Sequence, residues 1–154
     1  FGINKTIGDL AGPMAFAILM GSSRAFYGKF GDKINLERFM QYSAVLCMVS
    51  YLMIAFIPVP ALGILGCAVC GLSVGIMWPG TFSMAAASVK RGGTALFALL
   101  ALAGDVGCSS GPTYVGMISG ALNDNLKLGI FAALIFPVLM IMGIKMIGSL
   151  QKYD

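Results

Sequence analysis

The sequence predicts an all-α membrane protein, a polytopic bundle of five transmembrane helices, on three observations. Of its 154 residues 58% are hydrophobic and only 10% charged, whereas a water-soluble domain uses roughly a quarter charged residues to wet its surface. Apolar runs long enough to cross a hydrocarbon core, about 20 residues at helical rise, recur near 7–28, 39–58, 62–86, 93–120 and 127–148. The runs show no period-two alternation, so spanning α-helices rather than a barrel satisfy their backbone. The net charge of +4 comes from ten Lys and Arg scattered singly or in pairs. Without a basic stripe, nucleic acid is excluded as a partner and membrane lipid is the expected surrounding. The chain opens on Phe1 with no basic segment, short apolar core and cleavage site, so neither a native start nor a signal peptide is expected.

The first run carries Asp9 and Arg24. Fifteen positions at about 100° each leave them about 60° apart on one side of a helix, together with Pro13, Phe16, Met20, Ser23 and Tyr27. An ionisable group inside a span faces protein or a wet cavity unless it reaches a surface. Two readings stand: substrate contacts, or Asp9 in the outer headgroups and Arg24 snorkelling to the cytoplasm. The second run holds no ionisable residue and the fifth none before Lys145, which predicts lipid-facing outer helices.

The third run places Gly71, Gly75, Trp78 and Phe82 on one side, with Pro79 and Gly80 interrupting the helix beside the only Trp. A broken helix near mid-span points to a binding site, against the alternative of an ordinary kink. Cys67 and Cys70 make a C-x-x-C spacing, but mid-span and without His they read as packing residues, as do Cys47 and Cys108. The fourth run carries Asp105 twelve residues in, with Thr94, Ser109, Pro112 and Ser119 on the same face. This stripe predicts substrate contact or a proton site, against packing alone. A cation such as Arg24 beside Asp105 would hold it ionised for substrate positioning; without one, proton coupling is the expected role. Polarity therefore selects the first, third and fourth helices as the cavity walls.

Lys and Arg collect in cytoplasmic loops. Lys29, Lys33 and Arg38 follow the first run, Lys90 and Arg91 the third, and Lys145 and Lys152 the fifth, while Pro58-Val59-Pro60 carries no charge and Asn123-Asp124-Asn125 is followed by a single Lys127. The N-terminus is expected outside and the C-terminus in the cytoplasm, in a multi-pass cell-membrane protein. Connections this short make consecutive helices antiparallel neighbours in one bundle, 1–154, without internal domain boundary.

The segment Gly28-Lys29-Phe30-Gly31-Asp32-Lys33-Ile34-Asn35-Leu36-Glu37-Arg38 resembles the loop signature of major facilitator superfamily transporters, G-x-x-x-D-[RK]-x-G-x-[RK]-[RK]. Gly28, Asp32, Lys33 and Arg38 match; Asn35 replaces the second Gly and Glu37 a basic residue, a degenerate copy. The expected local structure is a helix stop at Gly28 and Gly31, with Asn35 able to take a left-handed turn. Gly104, Gly107, Gly111, Pro112, Gly116 and Gly120 are similar to the family's Gly- and Pro-rich packing helix. The resemblance implies a partial major-facilitator-type fold corresponding to transmembrane helices 8 to 12, most of the C-terminal half, with about 230 to 250 residues and seven further runs upstream. It implies a switch role for Gly28, Asp32, Lys33 and Arg38.

The function expected is secondary transport of a small solute by alternating access, proton-coupled, with Asp105, Arg24, Trp78, Ser109 and Asp9 as substrate or coupling residues. The expected partners are the solute, protons, lipid and the remainder of the transporter. No phosphate loop, activated nucleophile or metal cluster is present in the sequence, so neither covalent catalysis nor a cofactor is expected. The alternative is a non-transporting receptor or assembly subunit built on the same bundle.

Overall fold

The structure is a computed structural model that describes residues 5–89 and 92–150, with the side chains of residues 5–7, 32, 60 and 150 outside the description. It is helical, with no strand among the described residues. The elements are α1 (Lys5–Phe30), a 3-10 turn (Gly31–Lys33), α2 (Leu36–Phe56), α3 (Pro60–Val74), α4 (Met77–Ser88), α5 (Gly93–Ala121), α6 (Leu126–Ala132) and α7 (Ile135–Leu150). They form five rods, because α3 with α4 and α6 with α7 are bent single segments. Four rods, Leu36–Phe56, Ala61–Ser88, Gly93–Ala121 and Leu126–Ser149, are long and apolar enough to cross a membrane, the mark of a membrane protein. The first rod has the length, 26 residues. Asp9, Arg24, Pro13 and its Gly and Ser residues dilute its apolar character below that of the others.

The two bends have one cause. Proline lacks an N–H and its ring crowds the carbonyl four residues back; for Pro79 that residue is Gly75, and for Pro137 it is Ala133. The breaks fall there, at Gly75–Ile76 and Ala133–Leu134, so the interruption expected at Pro79 and Gly80 begins one turn earlier. The fifth run, read as continuous, is broken as well. The freed Ala133 carbonyl accepts from Phe136 N at 3.1 Å, a local 3-10 repair. Pro13 and Pro112 remain inside unbroken helices.

Packing runs on small residues, which let backbones approach where lipid offers no hydrophobic drive. α1 lies against α3 so closely that a Cβ on Gly71 would overlap the Phe16 carbonyl, and one on Gly75 would stand 2.8 Å from the Met20 carbonyl and 2.9 Å from Ser23 Cβ. α5 meets α6 at Gly129, where a Cβ would stand 2.7 Å from the Val115 carbonyl and 3.3 Å from Ser119 Cβ. Ser119 is therefore buried in that seam, not part of an open stripe with Asp105.

α2 departs most from expectation. Its face of Met40, Ser43, Ala44, Cys47, Ser50 and Ala55 is buried, and α3, α4, α6 and α7 all pack on it, so it is the hub of the bundle. Only its other face, Tyr42, Val45, Val49, Leu52 and Phe56, is the exposed apolar stripe of an outer helix. After Arg38 the helix carries no Asp, Glu, Lys or Arg; such a stretch suits protein and lipid equally, and its small side chains decide for protein.

Candidate functional site

The geometry centres on the break between α3 and α4. Pro79 leaves the buried Gly75 carbonyl without its helical donor, and Arg24 supplies one: its Nε donates to Gly75 O at 3.1 Å. Side chains on a helix lean toward its N-terminus, which directs Arg24 back along α1 toward the middle of the Ala61–Ser88 rod. The snorkelling reading is replaced by a specific role, capping a broken helix. Nor does this bond bring Arg24 to Asp105; the partner is backbone, not carboxylate. Asp9 stands exposed near the opposite end of α1.

One turn after the break, Trp78 leans on α5. Its ring occupies the space a side chain at position 104 would fill, so Gly104 is the seat of the indole. Trp78 packs on Phe82 at 4.8 Å and Phe82 stacks on Phe97 at 5.8 Å, an aromatic ladder joining α4 to α5. Asp105 follows Gly104 directly. The short segment Gly75–Trp78 thus touches α1 through Arg24 and α5 through the indole, which joins the three helices singled out by polarity. Trp78 remains 46% exposed, large enough an open face to meet a ligand.

Asp105 and Ser109 line an open groove of about 620 Å³ with Val106, Ser110, Thr113, Tyr114 and Met117. The hydroxyls of Ser109 and Thr113 bond back to the Asp105 and Ser109 carbonyls at 2.9 and 2.8 Å, so their lone pairs face the groove while their protons serve the helix. Of the predicted stripe of Thr94, Ser109, Pro112 and Ser119, Ser109 lines the groove beside Asp105, and the groove then turns toward Ser110 and Thr113, away from the buried Ser119. No group of three or more His, Cys, Asp and Glu among the described residues is placed to hold a metal ion.

The loop signature folds differently from expectation. Gly28 lies inside α1, which runs on to Phe30 and then tightens into the 3-10 turn Gly31–Lys33. Gly31 sits under the Tyr27 ring, 3.2 Å from Cζ at its Cβ position. Asn35 is not left-handed: at φ −67° and ψ 107° it is the N-cap of α2, its side chain accepting from Arg38 N at 3.1 Å. A capping Asn satisfies one of the orphan donors of a helix start, and Glu37 in the first turn, held by Gln41 at 3.2 Å, favours the positive end of the helix dipole. Lys33 and Arg38 are exposed. The side chain of Asp32, together with Lys90, Arg91 and Lys152, lies outside the described residues. Arg38, Glu37 and Lys145 share a cleft of about 490 Å³ between the start of α2 and the end of α7.

The cysteines were legible only in part. Cys47 and Cys70 are buried, their thiols within hydrogen-bonding reach across the α2–α3 contact. Each belongs to a C-x-x-S turn whose serine, Ser50 or Ser73, bonds back to the cysteine carbonyl at 2.8 or 2.7 Å. The repeated C-x-x-S spacing was visible in the sequence and marks the two faces that meet; the C-x-x-C pair does not, since Cys67 is only half-buried. Cys108 is exposed on α5 rather than packed. Comparison with family models, curated proteins and solved structures gives no match.

Proposed function

We propose that the chain is part of a secondary active transporter that moves a small solute across the cell membrane by alternating access, with protons as the coupling ion. The observation that carries this reading is the mid-rod break at Gly75–Ile76, held open by Arg24 and flanked by an exposed indole. Discontinuous helices expose backbone polar groups at membrane depth, tolerable only against protein or water, and transporters use them to hold solutes.

On this reading α1 is a fifth membrane span, the N-terminus is outside and the C-terminus cytoplasmic. The chain corresponds to helices 8 to 12 of a major-facilitator-type fold, as the loop Gly28–Arg38 and the Gly-rich α5 imply. The missing helices of the transporter cover the exposed faces of α1 and α5. Substrate would meet Trp78, Arg24 and Ser109, Asp105 would exchange the coupling proton, and Asp9 would stand near the outer entrance. Gly28, Asp32, Lys33 and Arg38 would form the conformational switch at the cytoplasmic side. No covalent chemistry and no cofactor enters this scheme.

The test is Asp105→Asn in the full-length protein reconstituted into liposomes. Proton-driven accumulation of solute is expected to vanish while exchange down the solute's own gradient persists. An Asn variant that still accumulates solute with the pH dependence of the unsubstituted protein would remove Asp105 from the coupling role.

A further inference from the structure

Resting on the transport reading, we infer that the solute is a small oxyanion, a carboxylate or a phosphate, and that Arg24 is the group that binds it. A guanidinium carries five N–H donors in a rigid fork. Arg24 commits its Nε donor to Gly75 O, which fixes the plane of the fork. Its two Nη groups, with four N–H donors, make no hydrogen bond among the described residues, and the side chain is exposed. The end of the fork is the edge that grips two oxygens of one anion in parallel. The anchoring bond removes much of the side-chain freedom that binding would otherwise have to freeze.

Depth identifies the source of the anion. Gly75 stands at the middle of the Ala61–Ser88 rod, about 20 Å from either end at 1.5 Å per residue. A lipid phosphate sits at the membrane surface and does not reach this level, whereas a soluble anion in a central cavity does. Among the described residues no carboxylate is bonded to the cation: its hydrogen bond goes to Gly75 O, and the exposed Asp9 lies fifteen positions away along α1. Among the described residues, a cation held at mid-rod level by a backbone carbonyl, with its binding edge free, has the geometry that grips an anion.

The experiment titrates purified full-length protein in detergent with succinate, acetate, inorganic phosphate and, as the uncharged control, galactose, at constant ionic strength set by chloride. The readouts are the unfolding midpoint and the part of the tryptophan emission that Trp78→Phe removes. At least one oxyanion is expected to raise the midpoint saturably, and galactose is not. Arg24→Gln keeps an amide donor for Gly75 O but removes the charge and the fork; it should fold with an unchanged midpoint and weaken the oxyanion at least tenfold. Arg24→Lys, which keeps charge without the fork, should weaken it by a smaller factor. Saturation by galactose with equal affinity in both proteins, or no response to any of the three oxyanions, overturns the inference. Oxyanion saturation without uptake in liposomes would instead sink the transport reading and leave this one standing; uptake of an uncharged solute with no oxyanion binding does the reverse.

Discussion

Replacing Arg24 by Met removes the donor that answers the Gly75 carbonyl while keeping a long apolar stem, and its cost depends on Pro79. In the unsubstituted protein the carbonyl is buried and has lost its helical partner to the proline, so Arg24→Met leaves it unsatisfied, at about 1–3 kcal/mol. In a Pro79→Ala background the new Ala N–H can donate to Gly75 O in the ordinary i to i−4 pattern. There the same Arg24→Met change should cost less than about 0.5 kcal/mol, the level of an exposed surface substitution. The coupling in the double-mutant cycle, the difference of these two costs, is therefore predicted at about 0.5–3 kcal/mol, beyond the roughly 0.3–0.5 kcal/mol scatter of independent sites. Reversible unfolding in mixed micelles, run on the four proteins side by side, measures it. Additivity within that scatter would mean that the Arg24 bond does not compensate for the proline, and the origin assigned to the break would be wrong.

Three further outcomes follow from the packing and the loop. Gly104→Leu must displace the indole that occupies its Cβ space; because Trp78 is the only tryptophan, intrinsic emission should shift, and an unchanged spectrum would place the ring elsewhere. Asn35→Ala removes the cap on α2 and should lower stability by about 1 kcal/mol, read as an unfolding midpoint, whereas Asn35→Asp, an equally good cap, should leave it nearly unchanged. Asp32→Asn in the full-length transporter should slow turnover several-fold with equilibrium solute affinity intact; lost affinity with normal interconversion between outward and inward states would contradict the switch assignment.

Residues 36 to 149 show what a sequence of this kind discloses. The rods were legible because length and apolar composition set them, and their ends moved by only a few residues. The breaks were legible in principle: counting four back from Pro79 and Pro137 gives Gly75 and Ala133, yet the same count from Pro13 and Pro112 gives unbroken helix, so proline alone does not decide. At Gly75 the freed carbonyl is answered by the Arg24 side chain, which comes from another helix 51 positions away. The hub role of α2 was hidden because an apolar face reads the same against lipid and against protein. Asn35 is ambiguous in sequence for a related reason: Asn serves both left-handed turns and helix caps, and the following Leu36-Glu37-Arg38, with an acid in the first helical turn, favours the cap. Of the expected site, Ser109 joins Asp105 in the groove, Trp78 packs on Gly104, the residue before Asp105, without lining that groove, and Arg24 reaches the start of the Trp78 segment through Gly75. Asp9 does not join them.

The central claim is that the groove on α5 faces water reachable from each side of the membrane in turn. Ser109→Cys, in full-length protein in which every native cysteine, Cys47, Cys67, Cys70 and Cys108 among them, is replaced, reports this with a membrane-impermeant thiol reagent added to one side of sealed vesicles at a time. Labelling is predicted from both sides, with the proportions shifting in opposite directions when solute is added. A cysteine that stays unreactive from both sides in every condition would show a dry, packed groove, and alternating access through this site would be contradicted.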